Sequence, residues 1–284
     1  MRLAVGTPVV TMMPGAHARW EESGTIEDVA RIAEAADRLG YHHLTCSEHV
    51  GVPRDQASRR GATYWDPLAT FGYVAARTQR IGLATNVLVL GYHHPLEIAK
   101  RYGTLDEVSG GRLILGVGVG TLREEFDLLG APFADRGERA DEALVALRAA
   151  LSSDEPVFEG THYSFGGLVV DPRSRQERVP LWVGGRTLRS LRRAVRLADG
   201  WCPFAVSPEQ ASAWLDQVDR PEGFEVRLGP PRPFDPVAEP GAAAHTLGAL
   251  RDAGATIALA NFVHHSLEHY HEQLEALTVL NAGL

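Results

Sequence analysis

The hydrophobic pattern along the chain alternates between two periods. Short apolar runs of strand character are each followed by a longer stretch whose apolar residues recur at helical spacing. Residues 3–9 read as a first strand. Ile26, Val29, Ile32, Ala33 and Ala36 mark a helix over 25–39, which Gly40 ends. Residues 43–46 form a second strand, and Asp66 as N-cap with Pro67 at the first helical position opens the next helix. The pattern continues with a strand at 81–89, a helix at 95–108, a strand at 113–119, and a helical stretch in two pieces, 123–129 and 135–151. Residues 158–170 break the alternation and predict an inserted hairpin. Strands at 181–183, 200–203, 224–228 and 256–260 follow, with helices at 187–197, 208–217, 241–253 and 266–280.

Eight strand–helix units imply a parallel sheet with helices outside. The expectation is a (β/α)8 TIM barrel with a hairpin insertion before strand five, one domain over residues 1–284; an open doubly wound sheet is the alternative. In a barrel, active-site residues come from the C-terminal ends of the strands.

Strand four poses a question. Side chains alternate faces along a strand, so Leu113, Leu115, Val117 and Val119 share the face suited to the helices. Ile114, Gly116, Gly118 and Gly120 share the other, which points into the barrel. Barrel interiors are normally filled by branched side chains. The glycines therefore either leave a flat ligand room against bare backbone at the mouth, or relieve crowding by large neighbours. A dinucleotide fingerprint is excluded, because the pattern that starts at Gly118 needs glycine where Arg123 stands.

Composition narrows the classes. With 44% hydrophobic residues the chain can fill one large core, and a net charge of −8 argues against a nucleic-acid surface. No run approaches the roughly 18 apolar residues of a membrane span, and the first residues lack a signal peptide's apolar core. Cys46 and Cys202 fall on strands that lie opposite in a barrel, which predicts packed thiols rather than a disulfide, in a reducing cytoplasm.

Several stretches together resemble the luciferase-like monooxygenase superfamily, and within it the branch that uses the deazaflavin coenzyme F-420. They are "SEHV" after strand two, "TNVLVL" on strand three, "HPLEIAKRYGTLDEVSGGRLILGVGVGTLREEF" through strand four, and "VPLWVGGR" with "ADGW" around strands five and six. The match spans residue 1 to about 204. The resemblance implies the eight-stranded barrel, a ring-shaped cofactor at its C-terminal mouth, and a small-molecule substrate. It also implies homodimers formed through helices two and three.

Residue by residue, the resemblance implies a catalytic acid–histidine pair at Glu48 and His49, with His49 near the reactive face of the ring and active in proton transfer. Imidazole suits that task because it titrates near neutrality. Asn86–Val87 matches the position where relatives carry a non-proline cis peptide behind the ring. Gly116, Gly118, Gly120 and Thr121 would border the ring. Gly184, Gly185 and Arg186 precede a helix and would bind the cofactor phosphate: backbone amides at a helix N-terminus favour anions, and arginine adds a bidentate contact. Thr121 departs from the acid or aromatic of many relatives, which argues against the sugar-phosphate dehydrogenase activity of one branch.

Three functions stay open: an F-420-dependent oxidoreductase, an FMN-dependent monooxygenase with nearly the same ring core, and a non-catalytic flavin-binding relative. Three further features have bland readings. His93 and His94 flank a helix N-terminus, which disfavours positive charge and predicts neutral rings. Residues 50–64 read either as a lid over the mouth or as a plain surface loop. Arg189, Arg193 and Arg196 lie near one helical face and read either as a solvated stripe or as contacts for an acidic cofactor tail, and the histidines 264, 265, 269 and 271 read as a solvated helix face with no metal-ligand spacing.

Overall fold

The computed structural model describes residues 1–283. The predicted strands appear as β1 (Arg2–Gly6), β2 (His43–Cys46), β3 (Gly82–Thr85, resuming at Leu88–Val89), β4 (Leu113–Gly118), β5 (Leu181–Gly185), β6 (Gly200–Pro203), β7 (Glu225–Leu228) and β8 (Ile257–Ala260). All pair in parallel with their sequence neighbours. The ring closes because β1 pairs with both β8 and β2, and β4 with both β3 and β5. The fold is the α/β TIM barrel, as expected.

Around it lie α1 (Ile26–Arg38), α2 (Pro67–Arg77), α3 (Pro95–Ser109), α4 (Arg123–Leu128), α5 (Arg136–Ser152), α6 (Leu188–Leu197), α7 (Pro208–Leu215), α8 (Pro240–Asp252) and α9 (Leu267–Ala282). Their starts use the signals in the sequence. Thr25 and Asp28 form a capping box on α1, Asp66 accepts from Ala69 N at 2.8 Å with Pro67 at the first position of α2, and Ser266 caps α9. Carboxylates pin the opposite, N-terminal end of the barrel. Asp37 accepts from three successive backbone amides, Gln79 to Ile81, and Asp199 accepts from Leu181 N while pairing with Arg148.

The inserted hairpin forms, with Phe158 opposite Phe165. Its turn is held to α5 by Glu142, which accepts from the amides of Thr161, His162 and Tyr163. Two expectations change. The first strand stops at Gly6, and the chain turns sharply through Pro8 and Val9, the latter at φ +71°. The third strand, expected as one run over 81–89, breaks at a cis peptide between Asn86 and Val87, the bond that the resemblance implied at this position. One pairing has no counterpart in the periodicity: Thr11–Met12 runs antiparallel to Thr63–Tyr64, tying the end of the 50–64 segment to the chain that leaves β1.

The face assignment of strand four holds. Leu113, Leu115 and Val117 join the large outer core under the helices, whereas Ile114 packs inside with Ala4, Ala84, Trp182, Cys202 and Ile257. The reason for the glycines is the crowding one. A Cβ on Gly116 would lie 2.1 Å from the carbonyl oxygen of Thr85, one on Gly118 2.6 Å from Cγ2 of Val87, and one on Gly120 2.5 Å from the Phe126 ring. The space is therefore not bare. It is filled by residues 85 and 87 at the break in β3 and, at Gly120, by the Phe126 ring of α4.

A Gly116→Ala variant must push the Thr85 carbonyl, a backbone atom, out of the barrel wall. Overpacking of this kind costs about 1–3 kcal/mol. Urea denaturation should show that loss, and a variant as stable as the parent would contradict the close approach.

Candidate active site

The C-terminal ends of the strands open onto a cavity of about 990 Å³. Glu48, His49, Asn86, Val87, Gly118, Gly120, Thr121, Gly184, Gly185 and Arg186 line it, so ten of the residues singled out in the sequence meet in one place. Gly116 does not reach the cavity wall; it lies a layer deeper, beside Thr85 and Cys202.

The floor is built by one side chain. Val87 projects across the barrel so that its two methyls occupy the positions where Gly118 and Gly184 would carry Cβ, at 2.6 and 2.5 Å. Any larger residue at either glycine would displace it. The neighbouring Asn86 is held through three polar atoms. Its amide donates to Cys46 O at 2.7 Å, its carbonyl accepts from Ser47 Oγ at 2.8 Å, and its Oδ1 accepts from Arg227 Nη2 at 2.7 Å.

Two carboxylate–imidazole pairs stand at one side of the cavity, and they are not the pair expected. Glu48 does not contact His49. It accepts from Val89 N and binds His93 Nε2, both at 2.7 Å. Alternation at the end of β2 turns Glu48 inward to β3, where its buried carboxylate is fully used. His49 instead gives Nδ1 to Glu125 Oε2 at 2.8 Å. Glu125, 1% exposed, also accepts from Tyr92 Oη at 2.6 Å and from the amides of Val50 and Gly51. Burial alone would raise the Glu125 carboxyl, but the hydrogen bonds from His49 and Tyr92 outweigh it, so the group sits below its ordinary value and is ionised at neutral pH.

An ionised acceptor on Nδ1 fixes the proton there and leaves Nε2 of His49 as the ring atom open to the cavity. The ring of Tyr64 meets it edge-on at 4.5 Å, with the Tyr64 hydroxyl tied back to Arg60 O. His49 is thus a held base or acid, with a charged partner behind it and an apolar face beside it.

His93 corrects the expectation of neutral rings at the α3 N-terminus. Burial lowers it, but the hydrogen bond and charge of Glu48 more than compensate, and its pKa lies above the ordinary 6.5. A direct carboxylate contact exceeds the partial charge of a helix end. His94 takes the N-cap position, with Nδ1 accepting from Leu96 N at 3.2 Å.

On the far side of the cavity, Gly185 adopts φ +138° and leads through the N-cap Thr187 into α6. Arg186, Arg189 and Arg192 line the wall there and form no ion pair among the described residues. Arg193 leaves the expected solvated stripe, being 9% exposed and bound to Asp141, whereas Arg196 also binds Asp141 but stays exposed. The 50–64 segment is anchored rather than free, by Glu125 at its start and the short ladder at its end, with one turn of helix, Ala57–Arg60, between. Of the histidines near the C-terminus, His265 is exposed as expected, whereas His264 and His269 are engaged with neighbours. His264 accepts from Trp20 Nε1 at 2.9 Å and lies 3.4 Å from Glu21, and His269 lies 3.6 Å from Asp235. Cys46 and Cys202 are buried free thiols. No helix among the described residues is long and apolar enough to cross a membrane.

Glu125, Tyr92 and Arg227 were not singled out by sequence reasoning. Glu125 lies in the quoted run "REEF", and its burial beside Phe126 was the available signal, hidden because a six-residue helix is too short to show which face is inward.

The raised pKa of His93 fixes the sign of a pH effect. Its contribution to stability is complete below the ordinary value of 6.5 and is lost as pH rises through the higher folded value. The urea midpoint of the parent should exceed that of His93→Gln most at about pH 5.5 and the gap should narrow by about pH 9. A gap that widens with pH would mean that His93 is held neutral.

The chain is similar to known proteins in sequence and in fold. An uncharacterized protein of Mycobacterium tuberculosis is 29% identical over 216 residues, 72% of this chain and 73% of that protein. An F-420-dependent glucose-6-phosphate dehydrogenase of Microbacterium testaceum is 31% identical over 170 residues, 58% of this chain and 49% of that one. The crystal structure of monooxygenase RslO1 from Streptomyces bottropensis superposes with a TM-score of 0.75 over 100% of this chain and 99% of that one, at 21% identity. The model of the family described as luciferase-like monooxygenase matches residues 7–276. The barrel, the cavity at its C-terminal mouth and that near-complete match together place the chain in the luciferase-like monooxygenase family.

Proposed function

We propose that this member of the family is an oxidoreductase that binds coenzyme F-420 at the mouth of the barrel and exchanges a hydride with a small organic substrate. The observation that carries this reading is the pairing, across one cavity, of a held imidazole at His49 with three arginines, 186, 189 and 192, that have no anionic partner of their own. Three free guanidiniums exceed what a single phosphate engages, and they suit a cofactor whose tail carries further acids.

The residues present fit the group. The glycine-free-of-Cβ seam at Gly118 and Gly184, closed by Val87, gives a flat apolar floor for a ring. Gly184, Gly185 and the α6 N-terminus offer backbone amides to a phosphate. The cofactor supplies the hydride chemistry when bound. The protein's part is to orient ring and substrate, to keep Glu125 ionised behind His49, and to hold or deliver a proton at His49 Nε2. Tyr64 and the anchored 50–64 segment cover that proton from bulk water.

The second reading is an FMN-dependent monooxygenase using reduced flavin and oxygen. The shared fold with monooxygenase RslO1 supports it, while the F-420-dependent relative supports the first.

Fluorescence titration separates them. The parent should bind F-420 with micromolar affinity and FMN more weakly. Arg186→Ala combined with Arg189→Ala should cost F-420 at least about tenfold, since one charge-assisted contact is worth roughly 1.5–3 kcal/mol. Tighter FMN binding with oxygen consumption selects the second reading. Binding of neither, at about 100 μM, rejects both.

A further inference from the structure

Arg227 is the inward-facing residue at the centre of β7, and it is 2% exposed. Its Nη2 donates to Asn86 Oδ1 at 2.7 Å, while its Nε is buried with no hydrogen-bond partner. No carboxylate pairs with it among the described residues. Glu225, two residues earlier on the same face, is committed to Arg2 and to the hydroxyl of Thr256.

The ionisable groups nearest the guanidinium carry no compensating charge. Cys202 lies against it, and burial pushes that thiol up, so it stays protonated. His43 is wholly buried, and burial together with the Arg227 charge holds its imidazole well below the ordinary value, so it is neutral. Arginine keeps its proton inside proteins. A lone cation in a barrel interior costs several kcal/mol, and an aliphatic side chain of similar volume would fill the space without that cost. The charge therefore calls for an anion that the chain itself does not provide.

Among the described residues Arg227 touches the Asn86 amide and the protonated Cys202 thiol, neither of which is charged, and Asn86 lines the cavity described above. The guanidinium stands one layer beneath the floor. We propose that Arg227 is a positioning residue that orients the Asn86 amide and sets a fixed positive charge behind the bound ring, favouring ring forms that carry negative charge, above all the ionised reduced form. This rests on the reading that a flavin-type ring occupies the cavity. A cation fixed near such a ring lowers the pKa of its ionisation and raises its midpoint potential.

The experiment uses full-length protein saturated with F-420, or with FMN if that binds more tightly, after binding has been established by fluorescence. The pKa of the reduced bound ring is read by absorbance and the two-electron midpoint potential by redox titration, for the parent, Arg227→Met, Arg227→Lys and Asn86→Asp. Arg227→Met removes the charge and should raise the ring pKa by about one unit or more, a tenfold change. The same tenfold change lowers the potential by about 30 mV for a two-electron couple. Arg227→Lys should stay near the parent. Asn86→Asp keeps an acceptor oxygen and neutralises the guanidinium, and should move both readings as Arg227→Met does.

Arg227→Met and Asn86→Asp proteins that bind the ring with unchanged pKa and potential would overturn the proposal. So would Arg227→Lys behaving like Arg227→Met, because charge would then not be the cause. Should Arg227→Met fail to fold, Asn86→Asp decides alone. Parent protein that binds neither ring overturns the functional reading and this inference with it, an outcome visible before any variant is compared.

Discussion

The contact of Val87 with Gly118 and Gly184 is the constraint on which the rest of the mouth depends. A valine reaches across three strands because both neighbours lack Cβ, at separations no real side chain would accept. Interiors are packed like crystals, so the fit works in both directions. Val87 is the side chain that fills the Cβ positions of both glycines. With that wedge in place, Asn86 is presented beside it, the cavity has a floor, and the residues after β2, β4 and β5 acquire a common surface to stand around.

Above this floor the polar groups divide their labour by partner. Glu48 and Glu125 are both buried and both bind an imidazole, yet only one of the imidazoles opens onto the cavity. Glu48 spends its oxygens on the β3 backbone and on His93, which fastens the end of β2 to the interrupted strand. Glu125 spends its own on His49, Tyr92 and two amides. Similar chemistry thus serves as a structural clasp in one case and as support for the cavity-facing ring of His49 in the other. Position relative to the cavity decides which.

Much of the fold was legible because it rests on local signals. Period, caps and breakers located the eight strands, and the hairpin showed as a break in alternation. The inward glycine face was also legible, since alternation along a strand is geometric. What filled that face was not, because the filler comes from a different strand and its approach depends on a broken ladder. The same limit hid the true partners of His49 and Glu48. Adjacent residues on an extended segment point apart, so Glu48–His49 looked like a pair in sequence and is none in space. Glu125 lies 76 positions from His49, and only the barrel's closure brings them together. Arg227 was invisible for a related reason: an arginine in a short apolar run reads as an edge or a register error until its interior partner is known.

The four partners of Glu125 have one more consequence. Two are backbone amides at the root of the segment covering the mouth, and one is the ring that would handle the proton. A single carboxylate therefore holds both the start of this segment and the ring of His49. Without the amides of residues 50 and 51 Glu125 would lose two of its four donors, so the path of the backbone after β2 and the orientation of the imidazole are set at one point.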